Sequence, residues 1–582
     1  MAEPRFSPDG SRLGWLEAAD GLTRLLVGPA DGAGPGRPVA AAVELGSAGA
    51  YRGGMWGWVD DDRVAVVSRA GQLVVVTVDP VDAAPVVVAR DGRSSAPAAA
   101  AGRLLFSLGR DDAMDIGEVP VDARTWPQRW SFADFAWDPA CTRDGRYVAW
   151  HEWDLTAMSW TASRILVVDR REGVPRVIAG GDDVSVGQPR FSPDGQWLAY
   201  VSDASGWWNV YVSRPDGSDA HPVLAEANDH AEPAWGPGQR SFAWSPDSNA
   251  IALCRNEDGF ARLVRVMLTG EVTELTRGWH HGLDWSTAGV VAVRSGARTP
   301  PQVTVIDPET ATKRVVARGV PAGMEDAARE PEVVRWSSDG QTIAGLLYRP
   351  DVDDTSPPLL VDLHGGPTGQ AIVRWDGWLR YFTSRGWAVL RPNPRGSTGY
   401  GRAFVQDWPR SWGDADIADI AAGIRAAIDQ GACDPSRIAV CGGSSGGLSA
   451  LLVGIRHPDL VRAVISAYGV TDLFDLANTT HRFESRYFDE IVGTLPGAKA
   501  AYRERSPVAH AAAITMPLLV LQGDADDVVP PAQAQLLVDA VRAAGGTVEH
   551  EVYPDEGHGF AKIATIIDEL ERTHAFLERW VR

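Results

Sequence analysis

The sequence predicts an N-terminal β-propeller followed by an α/β domain built on a parallel sheet. Two observations carry this. A turn-plus-strand phrase recurs through the first half, and apolar strands alternate with helical segments through the second.

The phrase appears as "PRFSPDGSRLGWL" from Pro4 and returns as "PRFSPDGQWLAYV" from Pro189. "FAWSPDSNAIALC" from Phe242 and "CTRDGRYVAWHEW" from Cys141 are further copies. Looser versions begin at Trp56, Ala101 and Gly282. Each joins a turn signal to an alternating apolar strand, as a tight hairpin requires. The seven units recur at roughly 40 to 53 residues, the period of four-stranded propeller blades. Seven blades is therefore the expectation, and six or eight also fit the spacing. Most of the 23 tryptophans are expected to pack between blades.

Near "PEVVRWSSDGQTIAGLLYRP" (Pro331 to Pro350) the pattern changes. "PLLVDLHGG", "AVLRPNPRG", "RIAVCGG" and "PLLVLQG" read as buried strands, and "DIADIAAGIRAAIDQG" has an amphipathic helical period ending at glycine. Continuous apolar strands alternating with helices argue a parallel sheet covered on both faces. The expected division is a propeller over 1–325 and a catalytic domain over 326–582.

Composition narrows the function. The chain has 582 residues, 45% hydrophobic and 23% charged, and a net charge of −21 at pH 7. That charge disfavours nucleic acid or an anionic membrane as partner. No run of roughly 18 apolar residues suggests a membrane span. The N-terminus lacks the basic and apolar regions of a signal peptide. Cys141, Cys254, Cys433 and Cys441 are widely spaced with no CxxC pair. The expectation is a cytoplasmic protein without disulfides, metal or cofactor. His280 and His281 show no ligand spacing. Assembly into a homo-oligomer is left open.

The chemistry lies in the second half. "RIAVCGGSSGGLSALL" (Arg437 to Leu452) reads as strand, glycine-rich turn and helix, the parts of a nucleophile elbow. It holds G-x-S-x-G twice, one residue out of register, framing Ser444 and Ser445. Such a fold places the acid and then the histidine downstream. "PLLVLQGDADDVVPP" ends a strand in a loop carrying Asp524, Asp526 and Asp527, and "HEVYPDEGHGF" ends another in a loop carrying His558. Any single motif is weak; three at strand ends in this order form an α/β-hydrolase pattern. His558 would take the serine proton, an aspartate would hold its imidazole, and backbone N–H groups would stabilise the oxyanion. "LHGGP" (Leu363 to Pro367) follows an early strand, where one such N–H belongs.

The motifs "LHGGP", "RPNPRGSTGYGRAF", "WGDADIAD", "DPSRIAVCGGSSGG", "QGDADDVVPPAQ" and "YPDEGHGF" resemble the prolyl oligopeptidase family of serine peptidases, nearest its acylaminoacyl-peptidase branch. With the propeller, the resemblance covers essentially the whole chain. It implies that Ser444 is the nucleophile and that Ser445 supplies an oxyanion N–H. It also implies Asp526 as the acid and Gly366 as the second N–H donor. His364 is then structural. Some family members hold the substrate's second carbonyl with an arginine two positions after the acid; here that residue is Val528. The departure tilts the expectation from a blocked acyl group toward a free amine, which calls for a carboxylate near the nucleophile. Glu484 in "THRFESRYF" is the candidate, against the alternative of a salt bridge to Arg482 or Arg486. Val528 and Tyr468 are candidates to contact the side chain beside the scissile bond.

The expected function is a serine peptidase that removes N-terminal residues from short peptides or aminoacyl amides. An acylaminoacyl peptidase, or an esterase or amidase for a small natural product, is the alternative. A propeller binding module fused to an inactive hydrolase is the rival of another class, and loss of turnover on Ser444→Ala would separate the two.

Overall fold

The computed structural model describes residues 1–46, 53–79, 84–90, 93–110, 113–122, 125–320, 329–352, 354–406 and 410–582. The chain divides into two compact units. One holds Met1–Ala18 and Leu22–Met324, and the other holds Ala19–Gly21 and Glu325–Arg582. The boundary expected at 325/326 lies outside the described residues.

The first unit is a seven-bladed propeller. Seven four-stranded antiparallel sheets follow one another along the chain, each made from consecutive strands. Among the described residues, no strand is exchanged between the first blade and the last. The ring closes by side chains: Phe6, Leu13 and Trp15 of blade 1 form one buried cluster with Val291, Val293, Val303 and Val305 of blade 7. The Phe6 N–H also donates to Asp284 Oδ2 at 2.9 Å. Trp56 fills the core between blades 1 and 2, and Trp150 that between blades 3 and 4. Near the axis, Gly54 of blade 2 meets Gly238 of blade 6 backbone to backbone, with no room for a side chain between them.

The repeated phrase earns its sequence. Ser7 Oγ donates to Asp9 Oδ1 at 2.6 Å, and the Arg12 N–H donates back to Ser7 Oγ at 2.9 Å. Ser192 with Asp194 and Ser245 with Asp247 repeat the side-chain bond at 2.5 and 2.6 Å. The phrase is thus a hydrogen-bonded turn that starts the second strand of a blade.

The second unit is an α/β-hydrolase fold. Its strands are β1 (Glu332–Ser338), β2 (Gln341–Tyr348), β3 (Leu359–Leu363), β4 (Ala388–Asn393), β5 (Ile438–Gly443), β6 (Ala463–Ala467), β7 (Leu518–Gly523) and β8 (Val548–Tyr553). They form one sheet in the order β1-β2-β4-β3-β5-β6-β7-β8. The β1/β2 and β2/β4 pairs are antiparallel, and the rest are parallel. The central strands β3, β5, β6 and β7 are almost wholly buried, which explains their unbroken apolar runs. Helices α1 (Ala415–Asp429), α2 (Ser445–Arg456), α3 (Pro531–Ala543) and α4 (Ile563–Trp580) belong to the same unit. Two sequence motifs are tied together here: Arg395 donates through Nε and Nη2 to the Asp419 carboxylate at 3.0 and 2.8 Å. The described residues include no helix long and apolar enough to cross a membrane.

Candidate active site

Parallel strands direct all their carboxyl ends to one edge of the sheet, where loops from distant sequence meet. The register aligns Leu363 of β3 with Gly442 of β5, Gly443 with Ala467 of β6, and Gly523 of β7 with Tyr553 of β8. The loops carrying Gly366, Ser444, Tyr468, Asp526 and His558 therefore all leave from that edge.

Ser444 stands between β5 and α2 with φ 57° and ψ −125°. A side chain held in that region is strained, and strain of this kind costs on the order of 1–3 kcal/mol. Such a turn lifts the hydroxyl above the sheet. The Ser444 N–H donates to Ala467 O at 3.1 Å, and the Gly447 and Val470 N–H groups donate to Ser444 O, so the turn is anchored on both sides. The motif needs its glycines for contact: a Cβ on Gly446 would lie 2.2 Å from Leu363 O. Of the two competing serines, Ser444 occupies the strained turn. Ser445 is the first residue of α2, buried, and its Oγ accepts from Trp412 Nε1 at 3.1 Å.

The loop after β3 runs beside this turn. A Cβ on Gly365 would lie 3.6 Å from Ser444 Cβ, which brings the Gly365–Gly366 segment next to the hydroxyl. His364 places Nε2 3.0 Å from Ser397 Oγ and Nδ1 2.9 Å from Gly365 O, partners of a structural kind.

The three aspartates of the β7 loop separate cleanly. Asp526 is 5% exposed, whereas Asp524 and Asp527 are exposed. Asp526 Oδ1 accepts from the Val528 and Val529 N–H groups at 2.9 Å each, and Oδ2 accepts from Gln522 Nε2 at 3.1 Å. His558 Nδ1 lies 3.1 and 2.9 Å from the two carboxylate oxygens. An imidazole that donates from Nδ1 to a carboxylate presents its other nitrogen, Nε2, as a base. Asp524 serves the loop instead, accepting from the Asp555 N–H at 2.6 Å.

The remaining candidates are placed as follows. Val528 is buried, and its backbone N–H helps to hold Asp526. Tyr468 has φ 39°, and its ring centroid lies 5.1 Å from that of His558. Glu484 closes a short 3-10 turn, Arg482–Glu484, and is 8% exposed. It accepts from Thr480 Oγ1 at 3.2 Å, and His481 Nε2 lies 3.5 Å away. Arg486 pairs with Asp489 at 3.1 Å. His481 is held below the usual imidazole range by burial, partly offset by Glu484 and Asp527, and it feels the charge of His558.

Sequence reasoning missed two supports, Gln522 beneath Asp526 and Trp412 beneath Ser445. Both sit inside the quoted motifs "QGDADDVVPPAQ" and "WGDADIAD". Their partners become visible only once the strand ends are side by side.

Known proteins resemble this chain in sequence and in fold. Residues 375–582 match the prolyl oligopeptidase family. Dipeptidyl aminopeptidase BIII of Pseudoxanthomonas mexicana is 30% identical over 251 residues, which are 40% of this chain and 36% of the relative. Dipeptidyl-peptidase 5 of Porphyromonas gingivalis is 24% identical over 480 residues, 80% of this chain and 69% of the relative. The match to the first relative thus spans little more than a third of that protein's length. A puromycin-hydrolyzing peptidase of Mycobacterium tuberculosis superposes with a TM-score of 0.91 at 27% identity, covering 100% of this chain and 94% of the other.

Proposed function

With that family resemblance as premise, we propose that the chain is a serine peptidase that releases N-terminal residues from short peptides or aminoacyl amides through an acyl-enzyme. The observation that carries the reading is the pairing of His558 Nδ1 with the buried Asp526 carboxylate, on the strand edge that also presents Ser444 in a strained elbow. Ser444 Oγ attacks the substrate carbonyl while His558 Nε2 takes its proton. Asp526 keeps the imidazole oriented and stabilises its charged form. Negative charge on the carbonyl oxygen is met by the N–H groups of Ser445 and Gly366. His558 then returns the proton to the departing amine, and water, activated by the same nitrogen, releases the acyl group.

Glu484 anchors the substrate α-ammonium in this reading. Its support is burial together with the Thr480 and His481 contacts that fix the carboxylate. A charge-assisted bond of this kind contributes about 1.5–3 kcal/mol. Val528 and Tyr468 are the candidates to contact the side chain beside the scissile bond, and a contact from Tyr468 there would be additional to its packing against His558. One comparison favours an amidase for a natural product as the second reading. The puromycin-hydrolyzing neighbour matches the whole chain, and puromycin is itself an aminoacyl amide with a free amine.

The test is hydrolysis of matched aminoacyl anilides, free-amine against N-acetylated, with puromycin and an ester as further substrates. Preference for free amines is expected. Glu484→Gln should then lower kcat/KM for free-amine substrates by roughly 10- to 100-fold and leave acetylated ones unchanged. Preference for the acetylated set would replace this reading with an acylaminoacyl peptidase. Cleavage of the ester or of puromycin alone would replace it with an esterase or dedicated amidase.

A further inference from the structure

The three loops of the site meet around one side chain that the mechanism above does not use as an acid, a base or a nucleophile. Tyr468 follows β6, between the elbow loop after β5 and the histidine loop after β8. Its ring makes three contacts. A Cβ on Gly443, the residue before the elbow serine, would lie 2.6 Å from Tyr468 Cε2 and 2.8 Å from its hydroxyl oxygen. The glycine therefore packs against the phenol end of the ring, with no room for a side chain. His558 stands edge to face with the same ring, at 5.1 Å between centroids and 66° between planes. Phe560, two residues further along the histidine loop, stands at 5.3 Å and 86°. Phe560 is backed in turn by Tyr553 of β8 at 4.9 Å.

We infer that Tyr468 is a positioning residue: its ring is the spacer that sets the distance and orientation between the Ser444 elbow and the His558 imidazole. The argument is geometric. Ser444 and His558 sit on loops that leave different strands, with no covalent route between them shorter than a hundred residues of chain. Something rigid must transmit the position of one loop to the other. An aromatic ring packed against Gly443 and in edge contact with both His558 and Phe560 does this, because close-packed rings resist rotation.

The backbone supports the same role. Tyr468 adopts φ 39°, a region that a bulky residue rarely enters. Its N–H donates to Leu521 O of β7 at 2.6 Å, which locks the strained conformation in place. Strain that the surroundings enforce at a strand end, beside a second strained residue at Ser444, belongs to a functional constellation. Burial of the phenol, helped by the Glu569, Asp362 and Asp526 carboxyls, raises its pKa and keeps it neutral. The ring also explains the second glycine of "CGGSSGG": any side chain at 443 would occupy the space the ring fills.

This inference rests on the proposed serine-hydrolase reading, and one experiment separates the two. A fluorophosphonate probe reports how fast His558 activates Ser444, and it needs no knowledge of the natural substrate. Wild type, Tyr468→Ala and Tyr468→Phe are compared for labelling rate, for kcat and KM on a free-amine anilide, and for the pH midpoint of kcat/KM. Melting curves of all three show whether the fold survives. Tyr468→Ala should slow labelling and kcat about 100-fold, leave KM within about threefold, and move the pH midpoint. Tyr468→Phe, which keeps the ring, should recover labelling and kcat to within about fivefold. Raised KM with unchanged kcat in Tyr468→Ala would overturn the inference and make Tyr468 a pocket wall. A Phe variant as slow as the Ala variant would overturn it too, because the hydroxyl and not the ring would then be responsible. Failure of the wild type to label would sink the underlying hydrolase reading instead.

Discussion

Both units hold residues in the left-handed region, and they use that strain differently. In the propeller it recurs. Glu3, Ala96, Asp138, Gln188 and Gly282, with φ from 48° to 68° except for Glu3 at 47°, each sit where the inner strand of a blade slips register against its neighbour. The first four are each followed by proline. These are β-bulges, in which one strand spends an extra residue and bends. In the hydrolase unit Ser444 and Tyr468 follow neighbouring strands, and each side chain contributes something that no other residue repeats. Strain repeated in five of the seven blades is architecture, because the ring needs the same bend many times. Asp339, Arg410 and Asp555 of the hydrolase unit are also left-handed, but only Ser444 and Tyr468 put that strain at the carboxyl ends of adjoining parallel strands, where the candidate site lies.

The difference can be broken by substitution. Ser444→Ala should abolish turnover, with a loss of about 10⁴-fold or more in kcat. Ser445→Ala should lose no more than about tenfold, since its N–H remains; an active Ser444→Ala with an inactive Ser445→Ala would reverse the assignment. Gly443→Ala inserts a Cβ 2.6 Å from the Tyr468 ring and should cost about 100-fold in kcat with little change in melting temperature. Equal loss of stability and activity would mean the ring serves packing alone.

Partly buried carboxyls sharpen the contrast. Glu3 in the propeller has Arg5 at 3.3 Å. Glu569 in the hydrolase unit has its pKa raised from 4.5 to about 7 by burial and by the carboxylates of Asp362 and Asp376. A raised carboxyl favours the folded state when protonated. Its contribution is complete below pH 4.5 and is lost as pH climbs through about 7. Stability in a denaturant titration should fall by about 2 kcal/mol between pH 5 and 7, and Glu569→Gln should flatten that slope. An unchanged slope would place the titration on another group. The smallest effect is expected in the propeller. Ala96→Gly relieves a left-handed alanine at φ 48° and should alter stability by no more than about 1 kcal/mol, with kcat unchanged. A large loss of activity there would end the distinction between architectural and chemical strain.

Much of this was legible in the chain. The Ser-Pro-Asp-Gly phrases announced the blades because a serine and an aspartate two residues apart close their own turn. Ser444 and His558 were marked by glycines at strand ends. Choosing Asp526 over its neighbours, and Ser444 over Ser445, needed family resemblance, since both motifs are ambiguous as written. Gln522, Trp412 and the spacer position of Tyr468 carried no local signal. Tyr468 reads as one more apolar residue after a strand, and only Gly443 and His558 on either side of it give the ring its meaning. Glu484 was marked as a carboxylate near the site, but its contacts with Thr480 and His481 came from the fold of the turn.

By itself the sequence determined the repeated blade unit, the alternation of strand and helix, and the chain order of serine, aspartate and histidine; the count of seven blades came from the sheets. Those features depend on hydrogen bonds and periodicities spanning a few residues, which the local sequence sets. The tertiary structure alone decided which aspartate is buried among four donors, which serine sits in the strained turn, and which ring stands between the elbow and the imidazole. Those outcomes depend on strand ends that are far apart in the chain and become neighbours only when the parallel sheet has formed.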